Sequence, residues 1–127
     1  MEQLGPGTGN YLVSEANGTR SREVITIAQG HKLLPGAVLG KVAATGKYVP
    51  VDPANGTAEG ETPDGSQTAV AVLFAQVDTT AAEKPGVITA RDTEVAAQAL
   101  VWPAGISEPH QSAALSQLAA VGIVARL

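Results

Sequence analysis

His31 and His110 are the only imidazoles in a chain of 127 residues, so a metal centre or a proton relay would have to start from them. His31 sits between Gly30 and Lys32 in a turn, and His110 falls in the first turn of a helical segment. Neither has a carboxylate at the spacing that brings a second ligand onto the same helix or strand face. A metal site needs three or four converging donors. Both read as exposed or capping histidines. Asp92 and Glu94 lie on one side of a strand and form a candidate carboxylate pair. Glycosidase chemistry needs its two carboxyls across a cleft, with one pKa raised by burial. Next to Arg91 and Thr93 in a polar turn, these two read as solvated or salt-bridged.

The remaining candidates give no more. "GPGTGNY" (residues 5–11) has the glycines of a phosphate loop, but such loops follow a strand and open a helix whose N-terminus meets the anion. No serine sits in a G-x-S-x-G elbow. Lys47, in "TGKY", lacks the acidic neighbours of an attachment hairpin and reads as a surface turn. Trp102, followed by Pro103, reads as a packing or intersubunit anchor. With no cysteine there is no disulfide, thiolate nucleophile or Cys-based zinc site. No catalytic residue, metal ligand or cofactor is expected, and the chain does not read as an enzyme.

Composition narrows the class further. Hydrophobic residues make up 44% of the chain but aromatics only 3%, so the apolar content is carried by small and aliphatic side chains. Each buries little area, at roughly 25 cal/mol per Å², and burial between subunits is expected to supplement a modest core. The net charge of −4, with scattered basic residues, speaks against nucleic acid, which is bound through basic patches, and against anionic membrane surfaces. No run approaches the roughly 20 apolar residues of a membrane span. The N-terminus has neither the basic region nor the apolar run of a signal peptide. The two sequons at Asn17 and Asn55 read as turn chemistry, both being Asn-Gly.

The elements that must position these residues are mostly strands. Residues 1–22 are polar and glycine-rich, with one apolar patch, Tyr11-Leu12-Val13, and read as a mobile arm. From residue 23 to 127 the chain reads as a single β-rich domain. Val24, Ile25, Thr26 and Ile27 begin it with a β-branched run. Residues 33–42 continue it through the Pro35-Gly36 turn, and a short strand follows at 48–51. Residues 52–67 concentrate Pro, Gly, Asn and Asp and predict an exposed loop. Residues 68–77, "TAVAVLFAQV", predict a strand buried on both faces; 78–86 break it, and 87–91 predict another strand. Residues 95–102 fit either a strand or a helical turn leading into one. Ser107 as N-cap, Glu108 and Pro109 in the first turn and Gly122 as terminator predict one helix, followed by a last strand.

Taken in order, "SREVITIAQGHKLLPGAVLGKV", "TGKYVPVD", "TAVAVLFAQVD" and "ALVWPAG", then a helix and "GIVARL", resemble the lambda-type head decoration protein D family of tailed phages. The resemblance runs from about Ser21 to the C-terminus, with Leu100-Val101-Trp102-Pro103 its most telling piece; residues 1–20 match none of its motifs. It implies a mainly β, β-clip-like barrel with one short helix near the C-terminus and a flexible N-terminal arm, assembled as a homotrimer. It also implies a structural virion protein on the outer surface of the capsid, assembled in the host cytoplasm. Such trimers bind major capsid proteins at three-fold and quasi-three-fold sites of the expanded head and stabilise it against the pressure of packaged DNA. On this reading Tyr11, Leu12, Val13, Val24, Ile25, Thr26 and Ile27 contact the capsid, and Trp102 with Pro103 anchors packing or the trimer. The alternative is a β-clip-type small-ligand or carbohydrate-binding module.

Overall fold

The computed structural model describes residues 11–15, 21–56, 62–103 and 106–126. Ten strands and one helix are present in this part: β1 (Leu12–Glu15), β2 (Arg22–Ile27), β3 (Lys32–Leu33), β4 (Val38–Lys41), β5 (Tyr48–Pro50), β6 (Ala71–Leu73), β7 (Val77–Asp78), β8 (Lys84–Thr89), β9 (Thr93–Ala96), α1 (Glu108–Ala120) and β10 (Ile123–Arg126). Strands β2-β5-β4-β6-β8 close into a barrel. Beside it lies a three-stranded sheet in the order β1-β9-β10, and β3 pairs with β7 as a small ribbon. The expected mainly β fold with one helix near the C-terminus is what the chain forms.

Alternation along β4 and β6 creates two cores. Leu39, Ala71 and Leu73 point into the barrel with Ile27 and Ile88. Their neighbours Val38 and Val72 point outward, into a second core with Val95, Ala114, Leu118 and Ile123. Side chains on a strand alternate between faces, so a strand between two cores must be apolar at every position. That is why "AVL" in β6 and "VLG" in β4 carry no polar residue and are buried throughout. Gly40 is required for a second reason: a Cβ there would sit 2.4 Å from the carbonyl oxygen of Ser66.

Two elements differ in length from their sequence reading. The run 68–77 is not one strand. β6 ends at Leu73, and the chain crosses to β7, which pairs with β3 instead of the barrel. Buried Thr79 fixes that crossing, its hydroxyl donating to Ala28 O (2.7 Å) and its amide to His31 O (2.7 Å). β8 conversely starts three residues early, at Lys84, through Pro85 and Gly86. In that stretch only β2 pairs with β8, since β6 meets it at Ile88 and Thr89 alone, and an edge position tolerates proline. The ambiguous segment 95–102 is both things in turn: β9, a 3-10 turn at Ala97–Ala99, then a bridge from Val101 to Ala37.

The helix sits where the sequence puts it. Ser107 occupies the N-cap, although its hydroxyl makes no capping bond, and Gly122 ends the helix at φ +91°. Ala114 and Leu118 bury one stripe against the second core. The returning β10 runs parallel to β9, with Ile123 opposite Thr93.

Within the expected arm, the described residues 11–15 are packed. β1 pairs antiparallel with β9, Leu12 opposite Val95 and Glu15 opposite Thr93, with an irregularity between Leu12 and Ser14. Tyr11 is fully buried in the second core and its hydroxyl bonds to buried Thr89 on the barrel. A lone aromatic in a polar stretch was the signal for this. Burying such a ring contributes roughly 2–3 kcal/mol, whereas ordering five backbone residues costs about 5–10 kcal/mol. The strand ladder, Leu12 and the polar contacts described below must supply the rest. Tyr11→Ala is expected to destabilise the protein by about 3–5 kcal/mol. Tyr11→Phe, which strands the Thr89 hydroxyl, is expected to cost about 1–3 kcal/mol. Urea unfolding measures both; a Tyr11→Ala midpoint equal to that of the parent would refute the buried position.

Candidate interaction surfaces

The sequence-selected residues divide by burial. Tyr11 and Ile27 are fully buried, Tyr11 in the second core and Ile27 inside the barrel. Leu12 and Ile25 are half-buried against those cores, and Thr26 is half-buried on the barrel. Val13 and Val24 stand out, at 54% and 72% exposure. They belong to β1 and β2, each of which has an open side. β1 pairs only with β9 among the described strands. β2 pairs with β8 along its whole length, but meets β5 only where Ile27 faces Tyr48. Residues 22–26 therefore present one edge without a described strand partner.

Charges flank that edge. Glu15 accepts from Ser21 Oγ (2.7 Å) and from Arg22 Nε (3.1 Å), and also pairs with Arg22 Nη2. The Arg22 guanidinium lies 3.9 Å from the centre of the Phe74 ring, which ties β1 to the barrel. Glu23 pairs with Arg91. Charged side chains on an open edge discourage indiscriminate pairing. Burial pushes the Glu15 carboxyl up, but the bonds from Ser21 and Arg22 and the Arg22 charge outweigh it and hold the group below its ordinary value. Burial also pushes the Tyr11 hydroxyl up to about 12, against the opposing bond to Thr89.

Other candidates fall into plain structural roles. Glu94 pairs with Arg126 Nε at 2.5 Å across β9 and β10, as a salt-bridged reading requires. Asp92 takes the turn before β9 at φ +52°. Lys47 pairs with Glu83 at 2.5 Å on the surface. Trp102 is half-buried against the second core and lines a small cavity of about 170 Å³ with Leu34 and Val101.

His31 and His110, 79 positions apart, come to one larger cavity of about 570 Å³. Pro50, Pro53, Pro103 and Ile106 form walls of it, and Asp52, Asp64 and Ser66 also line it. Burial lowers the pKa of His31, which keeps its imidazole neutral near neutral pH. The loop beside the cavity is hydrogen-bonded in its described parts. Asp52 N donates to Ser66 O (2.9 Å), Asp64 N to Asn55 Oδ1 (2.9 Å), and the Ser66 amide and hydroxyl to Asp64 Oδ1 (2.9 and 2.6 Å). The Ser66 bonds hold the Asp64 carboxyl below its ordinary value. Gly65 takes φ +105°, and a Cβ there would sit 2.5 Å from Lys41 O, so the loop lies directly on β4. No sequence spacing announces this cavity, because its lining comes from five separated segments.

Among the described residues no group of three or more His, Cys, Asp or Glu is placed to hold a metal ion. Open strand edges, exposed valines and a lined hollow on a rigid barrel are the working parts of a binding or assembly protein. A model of the bacteriophage lambda head decoration protein D family matches residues 2–123, and the chain belongs to that family. Membership carries a capsid decoration role and a place on the virion capsid. The match begins at residue 2 and so takes in the N-terminal stretch that the sequence motifs, which start near Ser21, leave out. No curated protein matches the chain.

A carboxylate held low in the fold adds stability above its ordinary range and loses it as pH falls through the folded-state value. Glu15→Gln is therefore expected to lower the thermal midpoint at about pH 7, with the gap to the parent closing as pH falls below the ordinary carboxylate range. Amide exchange of β1 should follow the same course. A gap that is constant from about pH 7 to about pH 3 would show that the Glu15 contacts do not hold the strand.

Proposed function

We propose that the protein is a trimeric cementing protein on the outer surface of the expanded phage head. It joins neighbouring major capsid subunits at three-fold and quasi-three-fold sites and stabilises the shell against packaged DNA. The family match over residues 2–123 carries this reading. The open edge of β2 and the exposed Val13 and Val24 support it. An extended capsid segment adding to such an edge gains main-chain hydrogen bonds, and alternate side chains set its register.

The contact set differs from the one read off the sequence. Val13, Val24 and the edge of residues 22–26 face outward, whereas Tyr11 and Ile27 serve the fold. The arm of this proposal is residues 1–10, which lie outside the described residues. One ordered arm binds weakly, because each residue costs about 1–2 kcal/mol to fix. Three arms on one trimer make the later contacts intramolecular, with avidity gains of roughly 10²–10⁴. Trp102 and Pro103 flank the small apolar cavity that also contains Leu34, and they are the proposed trimer anchor. Aromatic side chains beside exposed aliphatic ones are favoured centres of such contacts.

Deleting residues 1–10 while keeping Tyr11 is expected to leave the trimer mass by light scattering and the thermal midpoint unchanged, and to abolish co-sedimentation with expanded heads. Undiminished binding would refute the arm, and a monomer mass for the parent would refute the trimer. Val24→Asp is expected to weaken head binding about tenfold, with a normal midpoint, because it places an unpaired charge in a desolvated contact. Equal occupancy of heads by parent and variant would remove β2 from the interface.

A further inference from the structure

The cavity of about 570 Å³ lies within the range of small-ligand sites, about 300–1,000 Å³. Its lining combines aliphatic and proline walls with two carboxylates, Asp52 and Asp64, and contains no lysine or arginine. We infer that this cavity takes a lysine or arginine side chain presented by the capsid lattice. This assignment rests on the decoration reading above and names the chemistry of one contact within it.

Three observations select a cation over other occupants. The Asp52 carboxylate makes no hydrogen bond or ion pair among the described residues, whereas its backbone bonds Ser66 and Asn55. Asp64 is exposed and accepts at Oδ1 from the Ser66 amide and hydroxyl, which fixes its carboxylate beside the cavity. His31 is neutral through burial and brings no competing charge. An anion would meet two carboxylates of its own sign. A wholly apolar occupant would strip water from those carboxylates without replacing it, which is costly. A long basic side chain satisfies both halves of the lining: its methylene stem packs on Pro50, Pro53 and Pro103, and its head reaches the carboxylates. The start of α1 also borders the cavity at Ile106 and His110, and Glu108 in its first turn offsets the positive helix end there. The net charge of −4 favours approach of a basic segment from a distance.

The test uses the full chain in two parallel measurements. N-acetyl-arginine methylamide is titrated into the protein and followed through the amide resonances of Asn55, Ser66 and His110, with the uncharged N-acetyl-citrulline methylamide as control. The arginine amide is expected to shift these resonances and the citrulline amide to act at least about threefold more weakly, the size expected of an exposed ion pair. Asp52→Asn is expected to weaken the arginine response about threefold and leave the thermal midpoint unchanged. Equal responses to the two amides, or an undiminished response in Asp52→Asn, overturn the assignment. Binding of parent and Asp52→Asn to expanded heads is measured at low and moderate salt alongside. Weaker binding of the variant, with a shallower salt dependence, supports a basic anchor. Equal binding removes the cavity from the interface while decoration stands, and heads that the parent itself does not bind overturn decoration independently of the amide result.

Discussion

Burial on both faces of β4 and β6 is the constraint from which the rest of the molecule follows. Val38 and Leu39, or Val72 and Leu73, are chain neighbours that belong to different cores. The barrel interior and the layer under α1 are therefore joined through two strands with no slack between them. Because interiors are close-packed, a change of one methylene on either strand is transmitted across both. This rigidity suits a protein whose surfaces must hold fixed positions on another lattice. It also explains how so few aromatic residues suffice: each of these strands supplies aliphatic side chains to both cores.

The barrel and helix were legible in the sequence because their signals are local. The β-branched run from Val24 to Ile27 and the Ser107, Pro109 and Gly122 punctuation of the helix each depend on only a few neighbours. The run 68–77 misled for the converse reason. Its hydrophobicity is continuous, but the strand is cut at Leu73 by a contact 51 positions apart in sequence: Thr79 anchors to Ala28 and pulls the chain towards β3. β8 extends through Pro85 because β6 does not reach that far, which no local rule conveys. Tyr11 was hidden by glycine-rich surroundings, and its partner Thr89 lies 78 positions on. The surfaces were the least legible. Exposure of Val24 follows from a missing neighbour strand, and the large cavity is assembled from residues whose spacing carries no pattern.

The functional vocabulary of this chain is correspondingly geometric. Among the described residues, the ion pairs Glu23 with Arg91, Glu94 with Arg126 and Lys47 with Glu83 lie at the surface, and Glu15 with Arg22 is part-buried. Exposed pairs of this sort contribute little individually, about 0–1 kcal/mol. Their placement beside open edges matters more, since it favours chosen partners over chance ones. Guarded edges of this kind admit a matched partner strand and discourage indiscriminate pairing.

The pairing of β1 with β9 has a consequence for biosynthesis. β1 is synthesised well before its docking edge, which exists only once Thr93–Ala96 have been made. Tyr11 and Leu12 must travel unsheltered until then, exposed to strand exchange with neighbouring nascent chains. The β1–β9 pairing is thus a long-range contact that forms only after most of the intervening chain has been made.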